Sequence, residues 1–131
     1  MAILVVEDNE DNLALLDYLL RAYGHLPLLA RNGADGVRIA IEERPELILL
    51  DIRMPGMDGH EVAATIKSTP GLEQTCIVAV TASVLAGERE RIVASGFDGY
   101  IAKPIDPESF IGELEPFLPG PPAAETSAGE R

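Results

Sequence analysis

The chain has 131 residues, with 22 Asp and Glu against 10 Lys and Arg, for a formal charge of −12. Ten scattered cations among that many carboxylates form no basic face for nucleic acid, and a chain this short holds one domain of ordinary size. A single cysteine, Cys76, and two separated histidines, His25 and His60, exclude a disulfide framework and a structural zinc centre, while 47% apolar residues suffice to fill a core.

The first apolar run, Ile3 to Val6, begins so near Met1 that no signal peptide is expected ahead of it. It ends in Glu7-Asp8, after which Asn9 or Asp11 offers a cap for a helix over 10 to 23, with Gly24 as its C-terminal stop. Leu26 to Ala30 reads as a second strand, and its Pro27 cannot donate to a ladder and so prefers an edge. A helix over 34 to 44 leads to Leu47 to Leu50, a third strand that ends at Asp51. Asp58 caps a helix over 58 to 68, and Cys76 to Val80 forms a strand that ends at Thr81. A helix over 84 to 95 stops at Gly96, and Tyr100 to Ala102 forms a last strand that ends at Lys103-Pro104. Asp106, with Pro107 at the first helical position, starts a final helix over 106 to 117. From Pro119 onward the residues are small and polar without apolar periodicity, so the expected division is a domain over 1–118 and a disordered tail over 119–131. No apolar run approaches the ~20 residues of a membrane helix, and a soluble cytoplasmic chain is expected.

Five strands alternate with five helices, and the strands are apolar at consecutive positions. Such strands are buried on both faces, which calls for a parallel α/β sheet covered by helices on each side. The doubly wound, flavodoxin-like (βα)5 order 2-1-3-4-5 places the Pro27 strand at an edge. In that order the strand C-termini line one edge of the sheet, and the order reverses between strands 1 and 3, where ligands bind. Glu7, Asp8 and Asp51 therefore converge there, with Thr81 and Lys103 beside them. Clustered carboxylates repel one another and either take up protons or bind a cation. With no imidazole or thiolate at hand, a hard ion such as Mg²⁺ is the natural partner. Helix capping accounts for one acid at this place, not for three acids and a lysine.

Val-Val-Glu-Asp-Asn at 5 to 9, Leu-Leu-Asp-Ile-Arg-Met-Pro-Gly-Met-Asp-Gly at 49 to 59, Val-Thr-Ala at 80 to 82 and Lys-Pro at 103 to 104 together resemble the receiver domain of two-component response regulators. The resemblance spans residues 1 to about 118 and is strongest to stand-alone receivers and to receivers attached to hybrid histidine kinases. It implies a phosphorelay in which Asp51 accepts a phosphoryl group from a histidine kinase or histidine phosphotransfer protein. Asp8, Asp51 and the backbone carbonyl of Arg53 would hold Mg²⁺, with Glu7 acting through a metal-bound water. Lys103 would pair with a phosphoryl oxygen, aimed by a cis Lys103-Pro104 bond. Thr81 would donate to the new phosphate and Tyr100 would turn inward, shifting a face of helix 4, strand 5 and helix 5 over roughly 84 to 117 toward a downstream protein target. By the same resemblance the chain is a signalling switch, not a conventional enzyme, that catalyses only its own phosphorylation and dephosphorylation. The dephosphorylation rate would be tuned at Arg53 and Ser83, and the chain would be a monomer or weak dimer.

Three other readings compete. A phosphatase of the haloacid dehalogenase type would carry a second aspartate two residues beyond its nucleophile, where this chain has Arg53. A pseudo-receiver would lack some of the five site side chains, all of which are present. A receiver cut from a larger protein would have the Pro-rich tail as its linker. His25 and His60 read as surface residues, Cys76 as a small residue of strand 4, and Met54 and Met57 as loop packing. Leu13 and Ala14, at the polar margin of helix 1, offer a docking patch for a kinase.

Overall fold

In the computed structural model, which describes residues 2–82 and 86–118, the strands are β1 (Ala2–Val6), β2 (Leu26–Ala30), β3 (Leu47–Asp51), β4 (Cys76–Thr81) and β5 (Gly99–Ala102). They alternate with α1 (Glu10–Ala22), α2 (Gly33–Glu43), α3 (Gly59–Lys67), α4 (Ala86–Ala94) and α5 (Phe110–Leu114), and a 3₁₀ turn at Glu115–Phe117 follows. All pairings are parallel in the order β2-β1-β3-β4-β5, as the sequence predicts, and Pro27 lies on the edge strand β2.

Alternation of side chains along each strand explains the continuous apolar runs. Leu4, Val6, Ile48, Leu50, Ile77 and Ala79 point to a core closed by α2, α3 and Ile92 of α4. Ile3, Val5, Leu47, Leu49, Val78, Val80 and Ile101 point the other way, to a core closed by α1 and α5. Leu13 is 2% exposed and belongs to this second core, which corrects its expected place in a docking patch; Ala14 alone is exposed.

The helix starts obey capping chemistry. Asn9, Asn32 and Asp58 each accept a hydrogen bond from the backbone three residues on, and Glu61 completes a capping box with Asp58. Gly24 and Gly96 take positive φ, +85° and +95°, just past α1 and α4. The last helix departs from expectation, beginning at Phe110 and not at Asp106. The Asp106 carbonyl accepts from Ser109 and Phe110, and its carboxylate accepts from Glu108 N–H, so Asp106 to Ser109 form a turn in which Pro107 is no helix start. Of the expected fourth helix, the start at 84 and 85 lies outside the described residues, as do Ser83 and the tail from 119. Among the described residues, no helix is long and apolar enough to cross a membrane.

Candidate functional site

The strand ends place the site. Register pairs Val6 with Leu50, Asp51 with Val80 and Thr81 with Ala102, so the residues at or just beyond these points share one sheet edge. Glu7, at 1% exposure, and Asp51, at 4%, are buried there, while Asp8 is exposed. Each offers a carboxylate oxygen within 4.8 Å of the others, and they line a cavity of about 220 Å³ together with Lys103.

Lys103, just past β5, reaches the same carboxylates. Its Nζ lies 3.1 Å from Glu7 Oε1, 3.4 Å from Glu7 Oε2 and 3.4 Å from Asp51 Oδ1, and the peptide bond to Pro104 is cis. One half-buried ammonium thus stands against two buried carboxylates, with exposed Asp8 as a third. Burial pushes the Asp51 carboxyl up to about 7, the Glu7 charge adds to this, and Lys103 and the Arg53 N–H oppose it. Asp51 is therefore a carboxyl whose ionised form lacks enough positive charge around it.

A second sign points the same way. Glu7 Oε1 is buried and accepts no hydrogen bond among the described residues, although it faces the lysine. The donors converging here are oxygens, and none is an imidazole or thiolate, so the set fits a hard divalent cation and not a soft one. Glu7 does not cap α1 alone: its Oε2 accepts from Asn9 N–H at 3.1 Å, while Asn9 itself caps the helix.

The other expected residues fall into two groups. Arg53 lines the cavity and donates its N–H to Asp51 Oδ1 at 3.2 Å, while Thr81 is buried at the end of β4, one residue past the register partner of Asp51. Tyr100 lies outside the site, 38% exposed on β5, with the Arg89 guanidinium 6.0 Å from its ring centre. Asn12, in the first turn of α1 just past the Asn9 cap, also lines the cavity, because the helix starts directly beside the end of β1. His60 is buried and not a surface residue: its Nδ1 is hydrogen-bonded to Ser95 Oγ at 2.6 Å. The spacing of His60, Ala63 and Ile66 marks the buried face of α3 and carries the signal for that burial.

Known proteins resemble this chain in sequence and in fold. The family model described as the response regulator receiver domain matches residues 3–115. The polar-differentiation response regulator DivK of Brucella anthropi is 38% identical over 117 residues, which cover 89% of this chain and 95% of that protein. The receiver domain of a sensor histidine kinase from Pseudomonas aeruginosa superposes with a TM-score of 0.81 at 33% identity, covering 88% of this chain and 95% of that one, and its structure has a magnesium ion coordinated in the active-site cleft. The chemotaxis protein CheY4 of Vibrio cholerae has a TM-score of 0.86 over 89% of this chain and 98% of that one, and at 24% identity it shows a shared fold.

Proposed function

The chain belongs to the response regulator receiver family, and from that premise we propose that Asp51 is its phosphoacceptor, charged by a histidine kinase or histidine phosphotransfer protein. The observation that carries this reading is the buried Asp51 carboxylate clustered with Glu7 and Asp8 and 3.4 Å from the Lys103 ammonium. A carboxylate oxygen of Asp51 attacks phosphorus, the new O–P bond forms as the P–N bond to the donor imidazole breaks, and the imidazole leaves with the electron pair and takes up a proton. Little covalent chemistry is asked of the protein beyond in-line positioning and neutralisation of charge on the phosphoryl oxygens.

Asp8, Asp51 and the Arg53 carbonyl are the proposed ligands of Mg²⁺, with Glu7 reaching it through water. When bound, that ion supplies positive charge against the phosphoryl oxygens. Lys103 has its Nζ 3.4 Å from Asp51 Oδ1 and is placed to pair with a phosphoryl oxygen once Asp51 carries one. Thr81, buried at the neighbouring strand end, is the proposed donor to that group. Its movement, with inward rotation of the now exposed Tyr100, would shift α4, β5 and α5 toward a protein target in the cytoplasm.

Phosphoramidate, a small donor with the same P–N bond, provides the test. Incubation with Mg²⁺ is expected to give an acyl phosphate that hydroxylamine cleaves, and Asp51→Asn is expected to give none. A hydroxylamine-stable product would place the phosphate on another kind of residue and contradict the reading.

A further inference from the structure

α4 has little apolar hold on the domain. Among its described side chains only Ile92 is buried, and neighbouring Val93 is 73% exposed. One side chain of α3 compensates. His60 Nδ1 is hydrogen-bonded to Ser95 Oγ, just past the end of α4, and its Nε2 lies 3.5 Å from Glu88 Oε1 near the start of that helix. Glu88 and Ser95 are seven residues apart, two helical turns, so they share the face toward α3. The imidazole also meets Phe97 edge-on at 5.9 Å between ring centres. A single ring therefore touches both ends of α4 and the loop that follows it.

His60 is equally close to the phosphoacceptor strand in the chain. It is the second residue of α3, and Gly59 before it donates its N–H to the carbonyl of Ile52, the residue after Asp51, at 2.9 Å. Between this loop and α4 lies a cavity of about 400 Å³, lined by Met54, Pro55, His60, Glu88 and Arg91 among others. α4 thus has space beside it, and among the described residues His60 reaches across from α3 to Glu88 and Ser95.

We propose that His60 is a positioning residue of the switch. It holds α4 in its resting place against α3, and loss of this contact is part of the conformational change that accompanies phosphorylation of Asp51. The proposal rests on the phosphoacceptor reading above. A contact made in only one of two states favours that state, so removing it moves the population toward the other and makes phosphorylation easier. The net worth of one such hydrogen bond corresponds to about a two- to tenfold change in that balance.

The test uses the full chain and three variants. His60→Leu keeps an apolar side chain in the site but removes the polar contacts, Ser95→Ala removes the hydrogen bond with little change of shape, and His60→Asn restores a polar atom near the place of Nδ1. Amide hydrogen exchange within α4, read on unphosphorylated protein, is expected to be about two- to tenfold faster in the first two variants and to return toward wild type in the third. Phosphorylation by a small acyl phosphate with Mg²⁺, followed by intact mass, is expected to accelerate by a similar factor. Unchanged α4 exchange in both variants overturns the proposal. Faster exchange with a wild-type phosphorylation rate also overturns it, because His60 then contributes to stability alone. A wild-type chain that takes no phosphate overturns the phosphoacceptor reading, and this proposal with it.

Discussion

Asp51 is held in an environment that resists its negative charge, and this has a measurable effect on stability. Burial above all pushes its carboxyl in the folded protein up from the ordinary 3.8 to about 7. Below about pH 4 both the folded and unfolded chains carry the proton, and the favourable contribution of the neutral group is fully present. As pH rises from there through about 7 the unfolded chain releases its proton first, and that stability is lost. With a chelator present, Asp51→Asn is therefore expected to be more stable than wild type by about 1 to 4 kcal/mol at pH 8, with the difference vanishing toward pH 4. Thermal unfolding of the two proteins across that range checks this; a difference independent of pH would contradict it. The residues of this site were legible because each stands at a strand end, where chain order alone determines its neighbours. His60 was less legible, since its partners Glu88 in α4 and Ser95 just past it lie 28 and 35 residues away in the chain.

The β3–α3 connection shows how an element fixes the site. Gly59 opens α3 with its Cα so close to β3 that an added Cβ would stand 2.6 Å from Ile52 Cα and 2.7 Å from the Asp51 carbonyl oxygen. Both are backbone atoms, which cannot swing aside as a side-chain tip can. Gly59→Ala is expected to destabilise the fold by about 1 to 3 kcal/mol, in the range of overpacking, and to displace the Asp51 loop. Asp58→Ala removes the capping box at the same helix start and is expected to cost about 1 kcal/mol without that displacement. Denaturant midpoints rank the two; a Gly59→Ala protein as stable as wild type would mean that α3 can move away from β3. Capping signals at Asn9 and Asp58 predicted their helices because a cap is local chemistry. Asp106 and Pro107 misled for the same reason: the local pattern of a helix start was present, but the backbone there closes a turn, and the α-helix begins only at Phe110, whose ring is fully buried.

Across the whole molecule the acidity has two parts. Of a formal charge of −12, three carboxylates are gathered at one sheet edge, and the others lie elsewhere on the chain. A cation bound at that edge favours the folded state alone, because unfolding disperses its ligands. Mg²⁺ at about a hundredfold excess over its dissociation constant is expected to stabilise the wild-type chain by about 2.7 kcal/mol, and Asp8→Asn is expected to abolish most of that gain. An equal gain in both proteins would assign the effect to general screening of the net charge. Strand order was legible at this scale because apolar runs, an edge proline and parallel connections leave few arrangements. The outward placement of Tyr100 was not, because a strand residue near the last edge is free to face either way until its neighbours are fixed. On the function proposed above, the three gathered carboxylates and Lys103 serve one acceptor oxygen of Asp51. The most direct test is intact mass and peptide mapping after incubation with a small acyl phosphate and Mg²⁺. The account predicts one phosphoryl group on wild type, mapped to Asp51, and none on Asp51→Asn; equal labelling of the two proteins, or no labelling of wild type, would contradict it.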